Sequence, residues 1–319
     1  MKTKQPLLSI CIPTYNRARV LKDCLKSIVQ ADEFSNEVEI VVSDNCSTDD
    51  TQQVCKFFTQ QYSNIKYYRN DTNVGFCRNF LHVLECGSGT FLKVSNDYNI
   101  FRKKSISFLL KKIKKHLKDK PVLYFHNHIG KGKTYETPSF DEFLGFEKLG
   151  FGWISNYGYW KEDFDNFENK DTYFHTLFPQ IDWFIRSYFK KRTIFCYNEP
   201  IVKINNRNEK TGTYNFIEAH AKKFFIPLNE LHEKKLISSK SIEETKKQSL
   251  YFCTWVMIRR IFGDKRQCRF STENGWNIIK EEFGAFSWYK SILLKGVVLA
   301  LIAMPYERTK SFICNFLQK

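Results

Sequence analysis

The sequence predicts an α/β protein built on a doubly wound, mostly parallel sheet with a helical carboxyl-terminal extension. Three observations predict it. Short apolar runs alternate with stretches of helical periodicity through the first hundred residues. Each run stops at a cluster of small polar residues, and from residue 226 onward only the helical period remains.

The elements read in order. Leu7–Ile12 is an apolar run ended by Pro13 and reads as a buried strand; Leu21, Cys24, Leu25 and Ile28 then recur at helical spacing. Val38–Val42 is a second strand, stopped by Ser43-Asp44-Asn45. Ser47-Thr48-Asp49-Asp50 supplies the hydroxyls and carboxylates of a helix N-cap, with Val54, Phe57 and Phe58 following on one face. Ile65–Tyr68 is the third strand, and Phe76, Phe80, Val83 and Leu84 mark the third helix. Phe91–Val94 is the fourth strand and runs into Ser95-Asn96-Asp97. Strands joined by single helices imply right-handed crossovers and a sheet covered on both sides. Ligands of such sheets bind beyond the carboxyl ends of the strands, which here carry Pro13 to Arg17, Asp44-Asn45 and Asn96-Asp97.

From Arg102 to Lys120 nine basic residues face one acid, Asp119, while Ile106, Leu109, Leu110, Ile113 and Leu117 keep an apolar stripe. That is a helix packed on the sheet with a solvated basic face, or one turned toward a membrane. Pro121–Phe125 is a further strand, and residues 126–225 are irregular, aromatic and loop-rich. Ser241-Ile242-Glu243-Glu244 reads as a capping box before a helix reaching about Phe262. Trp288 to Lys319 reads as an amphipathic interfacial helix, a break at Pro305 and a second short piece; a buried core helix is the alternative.

Composition bounds the function. With 319 residues, 42% of them apolar, and 30 Phe, 16 Tyr and 6 Trp, the chain has the means to bury a large core, which excludes a disordered protein. A net charge of +16 points to an anionic partner: a phosphorylated substrate, a phospholipid surface or nucleic acid. No nucleic-acid-binding module is recognisable, so the charge is assigned to diphosphate and lipid. The ten cysteines include no CxxC pair and several sit in apolar runs, as expected of buried, reduced thiols in a cytoplasmic protein. Met1-Lys2-Thr3-Lys4-Gln5-Pro6 lacks the apolar core of a signal peptide. The longest apolar stretch, Ile292 to Met304, contains Lys295 and is shorter than the ~20 residues that span a bilayer. The expectation is a protein that touches the inner membrane from the cytoplasmic face without crossing it.

The strand-end residues carry more. Ser9 to Arg17 (SICIPTYNR), Glu39 to Asp49 (EIVVSDNCSTD) and Arg69 to Gly75 (RNDTNVG) resemble, in order and spacing, the family 2 glycosyltransferases. The likeness is clear over residues 7–125 and faint to about 215. Arg78-Asn79-Phe80-Leu81 and Ser95-Asn96-Asp97 are most similar to the abequosyltransferase-type branch, which builds bacterial O-antigen or capsule repeats. The resemblance implies a GT-A fold, itself a Rossmann-like doubly wound sheet, and an inverting transfer from a nucleotide-sugar to a glycan acceptor carried on undecaprenyl diphosphate. It also divides the chain into a nucleotide-sugar-binding half at 1–125, an acceptor half at 126–225 and a helical, membrane-associating region at 226–319.

Site residues follow from the same likeness. Pro13 holds a loop that presents Thr14, Tyr15 and Arg17 to the nucleotide, where a ring can stack on a base and a guanidinium can grip phosphate. Asp44 is the carboxylate that accepts from the base, with Asn45 beside it, although an Asx turn or helix cap also suits Asp44. Arg78 is expected near the diphosphate, as is Arg207 in the polar 205–212 loop. Asp97 matches the position that binds Mn²⁺ or Mg²⁺; Asn96 stands where a second acid is frequent and lends the donor site no charge. The base that takes the acceptor proton is expected in an acidic motif matched by Pro179 to Arg186, but the base position is Gln180. Asp182 therefore leads and His175 follows. His126 and His128 share a strand face without a third metal ligand nearby in sequence. Two rival readings stay open: a sugar nucleotidyltransferase, which would want a glycine-rich phosphate loop, and a relative that binds nucleotide without turnover.

Overall fold

The computed structural model describes residues 5–31, 33–126, 134–205, 214–261 and 270–302. Strand β1, Leu8–Thr14, and strand β2, Val38–Asp44, are buried along their whole length, as central parallel strands must be. Both run two residues past the apolar stretch, and Pro13 pairs opposite Ser43 within the ladder. The strand tolerates Pro13 there because its other neighbour, β4 (Phe91–Val94), pairs only as far as Cys11, so no ladder bond on that side needs its missing N–H. With β3, Ile65–Arg69, and β8, Gly158–Trp160, the sheet runs β3-β2-β1-β4-β8. The first four strands are parallel and β8 is antiparallel at the edge. Gly158 lies against the Phe91 ring so closely that a Cβ would collide with it.

The crossover helices are α1 (Ala18–Val29), α2 (Thr51–Gln61) and α3 (Phe76–Glu85). Leu21, Cys24, Leu25 and Ile28 of α1 pack on Leu8, Ile10, Ile12, Val38, Ile40 and Val42, alternate residues of the strands. Helix α2 turns Cys55 and Phe58 inward and leaves Phe57 51% exposed, so the expected Val54–Phe57–Phe58 face is rotated by one position. Phe76 is likewise exposed at the first turn of α3, while Phe80, Val83 and Leu84 are buried.

Strand β5 (Asn99–Phe101) leads into helix α4, Ser105–Lys115, which buries Ile106, Leu109, Leu110 and Ile113 in the same core; Leu117 lies past its end and is exposed. Its lysines are partly neutralised. Lys114 pairs with Glu37 at 2.7 Å, and Lys112 and Lys115 lie over the rings of Tyr197 and Phe195. A second sheet joins β6 (Val122–His126) to β9 (Ile194–Asn198) in parallel, with β7 (Tyr135–Thr137) antiparallel on β9. The 134–205 segment is far more regular than its loop-rich sequence implies. It holds β7, α5 (Phe140–Glu147), β8, α6 (Lys161–Asp165), α7 (Pro179–Lys191), β9 and β10 (Val202–Ile204). Phe143, Tyr157 and Phe184 pack on Tyr124 at ring separations of 5.0–5.7 Å, and Phe151 packs on Phe143 and Phe184 at 5.2–5.3 Å. These aromatic contacts organise strands of three residues, too short to show a period.

Two compact units divide the chain: 1–143 with 150–208, and 144–149 with 209–319. The second holds α8 (Phe216–Ala221), α9 (Ile226–Glu233), α10 (Ser239–Ile261), α11 (Gly275–Phe283) and α12 (Tyr289–Ile302) around Phe216, Ile217, Leu250, Cys253, Val256, Met257, Ile279 and Phe283. The cap of helix α10 lies three residues before the expected one: the Ser238 hydroxyl accepts from the Ser241 N–H at 3.2 Å, which puts Ser241 inside the helix. Gly296 of α12 faces Thr254 of α10, whereas Leu294, Val298 and Ile302 point outward. Pro305 and the tail beyond it lie outside the described residues, as do Arg207 and His128. The eight described cysteines are free thiols, six of them buried. Among the described residues, no helix is long and apolar enough to cross a membrane.

Candidate active site

The carboxyl ends of β1, β2 and β4 bring the first three motifs together. Past Thr14 the chain turns at Asn16, whose φ of 51° is tolerated by asparagine better than by most residues. Asn16 then straps the loop down: its N–H donates to Ser47 Oγ at 2.8 Å and its Oδ1 accepts from the Thr48 N–H at 2.7 Å. Asp49 continues the strap by accepting from the Ala18 and Thr51 N–H groups. Burial acts to raise the Asp49 carboxyl, but these hydrogen bonds outweigh it and hold the pKa below its ordinary value. Tyr15 is left projecting and exposed.

Asp97 closes the site from β4. Its Oδ2 accepts from Thr14 Oγ1 at 2.9 Å, and its Oδ1 lies 3.5 Å from Arg17 Nη1. The Arg17 guanidinium sits 5.8 Å from the Tyr98 ring centroid. Thr14, Arg17 and Asp97 thus form one cluster, as their places at adjacent strand ends imply.

Asp44 is fully buried. Its Oδ1 accepts from the Ser47 N–H three residues on at 2.9 Å, and its Oδ2 accepts from Tyr67 Oη at 2.8 Å with Arg69 Nε 3.7 Å away. Burial, followed by that bond to Asp44, pushes the Tyr67 hydroxyl well up. Asn45 faces the 70–75 loop instead of open solvent. Its Oδ1 accepts from the Val74 N–H and from Asn70, and its amide donates to Asn73 at 2.7 Å. Gly75 then starts α3 at a φ of 83°, a value that suits only glycine well. Arg78 is exposed on α3, with its guanidinium 5.8 Å from the Phe174 ring.

Asn96 points inward. Its backbone N–H and its Nδ2 both donate to Ser155 Oγ, at 3.0 and 2.8 Å, and Asn99 Nδ2 meets the same hydroxyl at 2.8 Å. The Ser155 carbonyl accepts from Lys93 Nζ, which also donates to the Val94 carbonyl at 2.9 Å. Burial drives the Lys93 amine down to about 7.

On helix α7, Arg186 clamps Asp182 through both oxygens: Nε to Oδ1 at 3.0 Å and Nη2 to Oδ2 at 2.8 Å. Gln180 is buried and donates to the Gly152 carbonyl at 3.0 Å. His175 is exposed in the 174–176 turn, its Nδ1 3.1 Å from the Thr172 carbonyl. A carbonyl only accepts, so Nδ1 carries the proton and the Nε2 lone pair faces outward in the neutral ring. His126 ends β6 opposite Asn198, packed on Tyr124.

Residues 9–192, more than half of the chain, match the family described as Glycosyl transferase family 2. The chain belongs to that family. Among its relatives is the abequosyltransferase RfbV of Salmonella typhimurium, 36% identical over 104 residues, which are 32% of this chain and 31% of that protein. Another is the GalNAc(5)-diNAcBac-PP-undecaprenol beta-1,3-glucosyltransferase of Campylobacter jejuni, 33% identical over 108 residues and 34% of each chain. The chain spans about a third of the length of these relatives. Among solved structures, S. aureus TarS 1-349 in complex with UDP-GlcNAc aligns at a TM-score of 0.52 and 15% identity, covering 97% of this chain and 92% of that one. A second structure, of S. aureus TarS, aligns at 0.54 and 18%, covering 94% of this chain and 50% of that one. The fold is therefore the GT-A glycosyltransferase fold.

Four residues escaped sequence reading as site residues. Tyr67 and Arg69 hold Asp44, and their only signal is a place at the carboxyl end of the neighbouring strand. Lys93 did leave a signal, a single lysine interrupting the apolar run Phe91-Leu92-Lys93-Val94. Ser155 left none.

Proposed function

We propose that this family 2 glycosyltransferase carries out an inverting transfer from a nucleotide-sugar to a glycan acceptor in bacterial surface-polysaccharide (O-antigen or capsule) synthesis. The observation that carries the reading is the Thr14–Asp97–Arg17 cluster at the carboxyl ends of β1 and β4. In it a carboxylate and a guanidinium stand side by side where the diphosphate of such a donor belongs. Tyr15 offers an exposed ring for the base, and Asp44, fixed by Ser47, Tyr67 and Arg69, lies at the neighbouring strand end. Arg78, and Arg207 by resemblance, supply further positive charge.

A divalent ion is part of this proposal. Asp97 supplies one carboxylate, and among the described residues no group of three or more His, Cys, Asp or Glu converges for an ion. Mg²⁺ or Mn²⁺ arriving with a diphosphate needs only one or two protein carboxylates, so Asp97 fits a shared ion and not a dedicated cage. Such an ion, when bound, neutralises charge on the departing nucleoside diphosphate. Asn96 is engaged with Ser155 and is given a supporting place, not a ligating one.

The two candidates for the base separate on geometry. Both Asp182 oxygens face Arg186, whereas the outward Nε2 of His175 is free to accept. We therefore assign the acceptor proton to His175: the acceptor oxygen bonds to the anomeric carbon, that carbon's bond to the β-phosphate oxygen breaks, and the proton passes to Nε2.

The acceptor is proposed to ride on undecaprenyl diphosphate at the cytoplasmic face of the inner membrane. Support comes from the undecaprenol-linked relative and from α12, where exposed Leu294, Val298 and Ile302 stand beside exposed Lys295. Titration with UDP, GDP, CDP and dTDP, with and without Mn²⁺, tests the donor site. Binding of one diphosphate strengthened by Mn²⁺ and lost in Asp97→Ala is expected; no binding by any of the four refutes the reading. Binding without transfer would favour the non-catalytic relative.

A further inference from the structure

We propose that Lys93 is a positioning residue that acts through Ser155 to hold the Asn96–Asp97 loop, an inference that rests on the assignment of Asp97 above. Lys93 lies in central strand β4 and is 1% exposed. An amine in such a place is unfavourable unless its N–H groups find acceptors. Lys93 finds two backbone carbonyls, Val94 and Ser155, and sits 5.6 Å from the Phe125 ring. The first is next door in sequence; the second belongs to the Ile154–Asn156 turn, which packs beside β4 and leads into its partner β8.

Ser155 passes the constraint back to the loop. Its hydroxyl receives the Asn96 N–H, Asn96 Nδ2 and Asn99 Nδ2, so both sides of Asp97 hang on one oxygen. The same turn region is held from the other side by Gln180, whose amide donates to the Gly152 carbonyl. At the position expected to carry a base, the neutral amide makes a donor contact that a carboxylate could not. A methionine at 93 would fill the space equally well, but would leave the Ser155 carbonyl without its lysine donor and the turn free to shift.

Three variants test this: Lys93→Met, Ser155→Ala and the double variant, with Ser155→Thr as the hydroxyl-retaining control. Hydrogen exchange of the Asn96 amide is read first, then binding of UDP, GDP, CDP and dTDP with Mn²⁺, each titrated separately. Each single variant is expected to speed Asn96 exchange and to weaken the diphosphate that binds the wild type by about tenfold, as loss of a supporting contact around a ligand site does. The double variant should be no weaker than Ser155→Ala, because the two residues act in series. Ser155→Thr should stay near wild type. Unchanged exchange in Lys93→Met, or losses that multiply to about a hundredfold in the double variant, overturns the inference. If Lys93→Met does not fold, Lys93→Leu takes its place, and an Asn96 amide that exchanges at the wild-type rate in that variant overturns the inference. If no diphosphate binds the wild type, the functional reading fails, and the exchange measurement still decides the role of Lys93.

Discussion

Asp97 and Asp182 each stand beside an arginine, and the two pairs differ in a way that, on the proposed function, separates the donor region from the acceptor region. At the strand ends, Arg17 approaches Asp97 with one nitrogen at 3.5 Å, and the other carboxylate oxygen rests on a neutral threonine hydroxyl. On α7, Arg186 takes both oxygens of Asp182 at 2.8 and 3.0 Å from one turn away on the same helix. The second geometry joins a hydrogen bond from Nε to one oxygen with a close ion-pair contact of Nη2 to the other, and it engages both charges within one helix. The first is a single longer contact, which the proposed function reads as one that a cation and a diphosphate can replace. Charge at the donor edge is held in reserve; charge on α7 is already engaged.

Substitutions sharpen that contrast. Asp97→Ala should remove the only carboxylate of the Thr14–Arg17–Asp97 cluster, and glycosyl transfer should fall at least about a thousandfold with the circular dichroism spectrum unchanged. His175→Gln keeps a polar side chain without a basic nitrogen, and turnover should drop about a hundredfold at unchanged donor KM. Asp182→Asn should behave differently: about tenfold or less in turnover, with a loss of about 1–3 kcal/mol in stability from the broken clamp on Arg186. A hundredfold loss of turnover at full stability in Asp182→Asn would instead make Asp182 the base and erase the contrast. Arg17→Ala should split two affinities, raising that for Mn²⁺ alone while weakening the nucleoside diphosphate about tenfold, because one guanidinium repels the ion and attracts the phosphate.

The donor edge was also the more legible half. Four parallel strands and three crossover helices follow from apolar runs and 3.6-residue stripes, and Thr14, Arg17 and Asp97 meet because parallel strands put their ends side by side. Such motifs are local in sequence. The 134–205 segment follows another logic: its three-residue strands are set by aromatic packing around Tyr124 and Phe184, which pairs residues 60 apart and leaves no period to read. Asn45 and Asn96 show the same limit within the motifs. Residue type and position pointed to ligand contacts but not to the partners these side chains have within the fold, the loop amides of Asn70, Asn73 and Val74 and the hydroxyl of Ser155. Ser155 lies 59 residues from Asn96, beyond any spacing rule.

Lys93 supplies a third kind of charge, neither held in reserve nor paired, and the smallest of the expected effects. Burial lowers its pKa from 10.5 to about 7, so between those two values the unfolded chain holds a proton that the folded chain has released. Raising the pH through that window therefore favours folding. From pH 7 to pH 8 this one group should add about 1 kcal/mol to stability, read as the difference between the denaturation curves of the wild type and Lys93→Met, a comparison that cancels the other titrating groups. The Lys93→Met protein should lack that increment while keeping its melting point at pH 7 at or above the wild-type value, since methionine removes the cost of a buried amine. A wild-type curve parallel to that of Lys93→Met across the interval would mean that Lys93 keeps its proton. The ammonium would then be held by the Phe125 ring and the two carbonyls as a permanent charge beside the donor site, and the division into reserved, engaged and discharged groups would reduce to two.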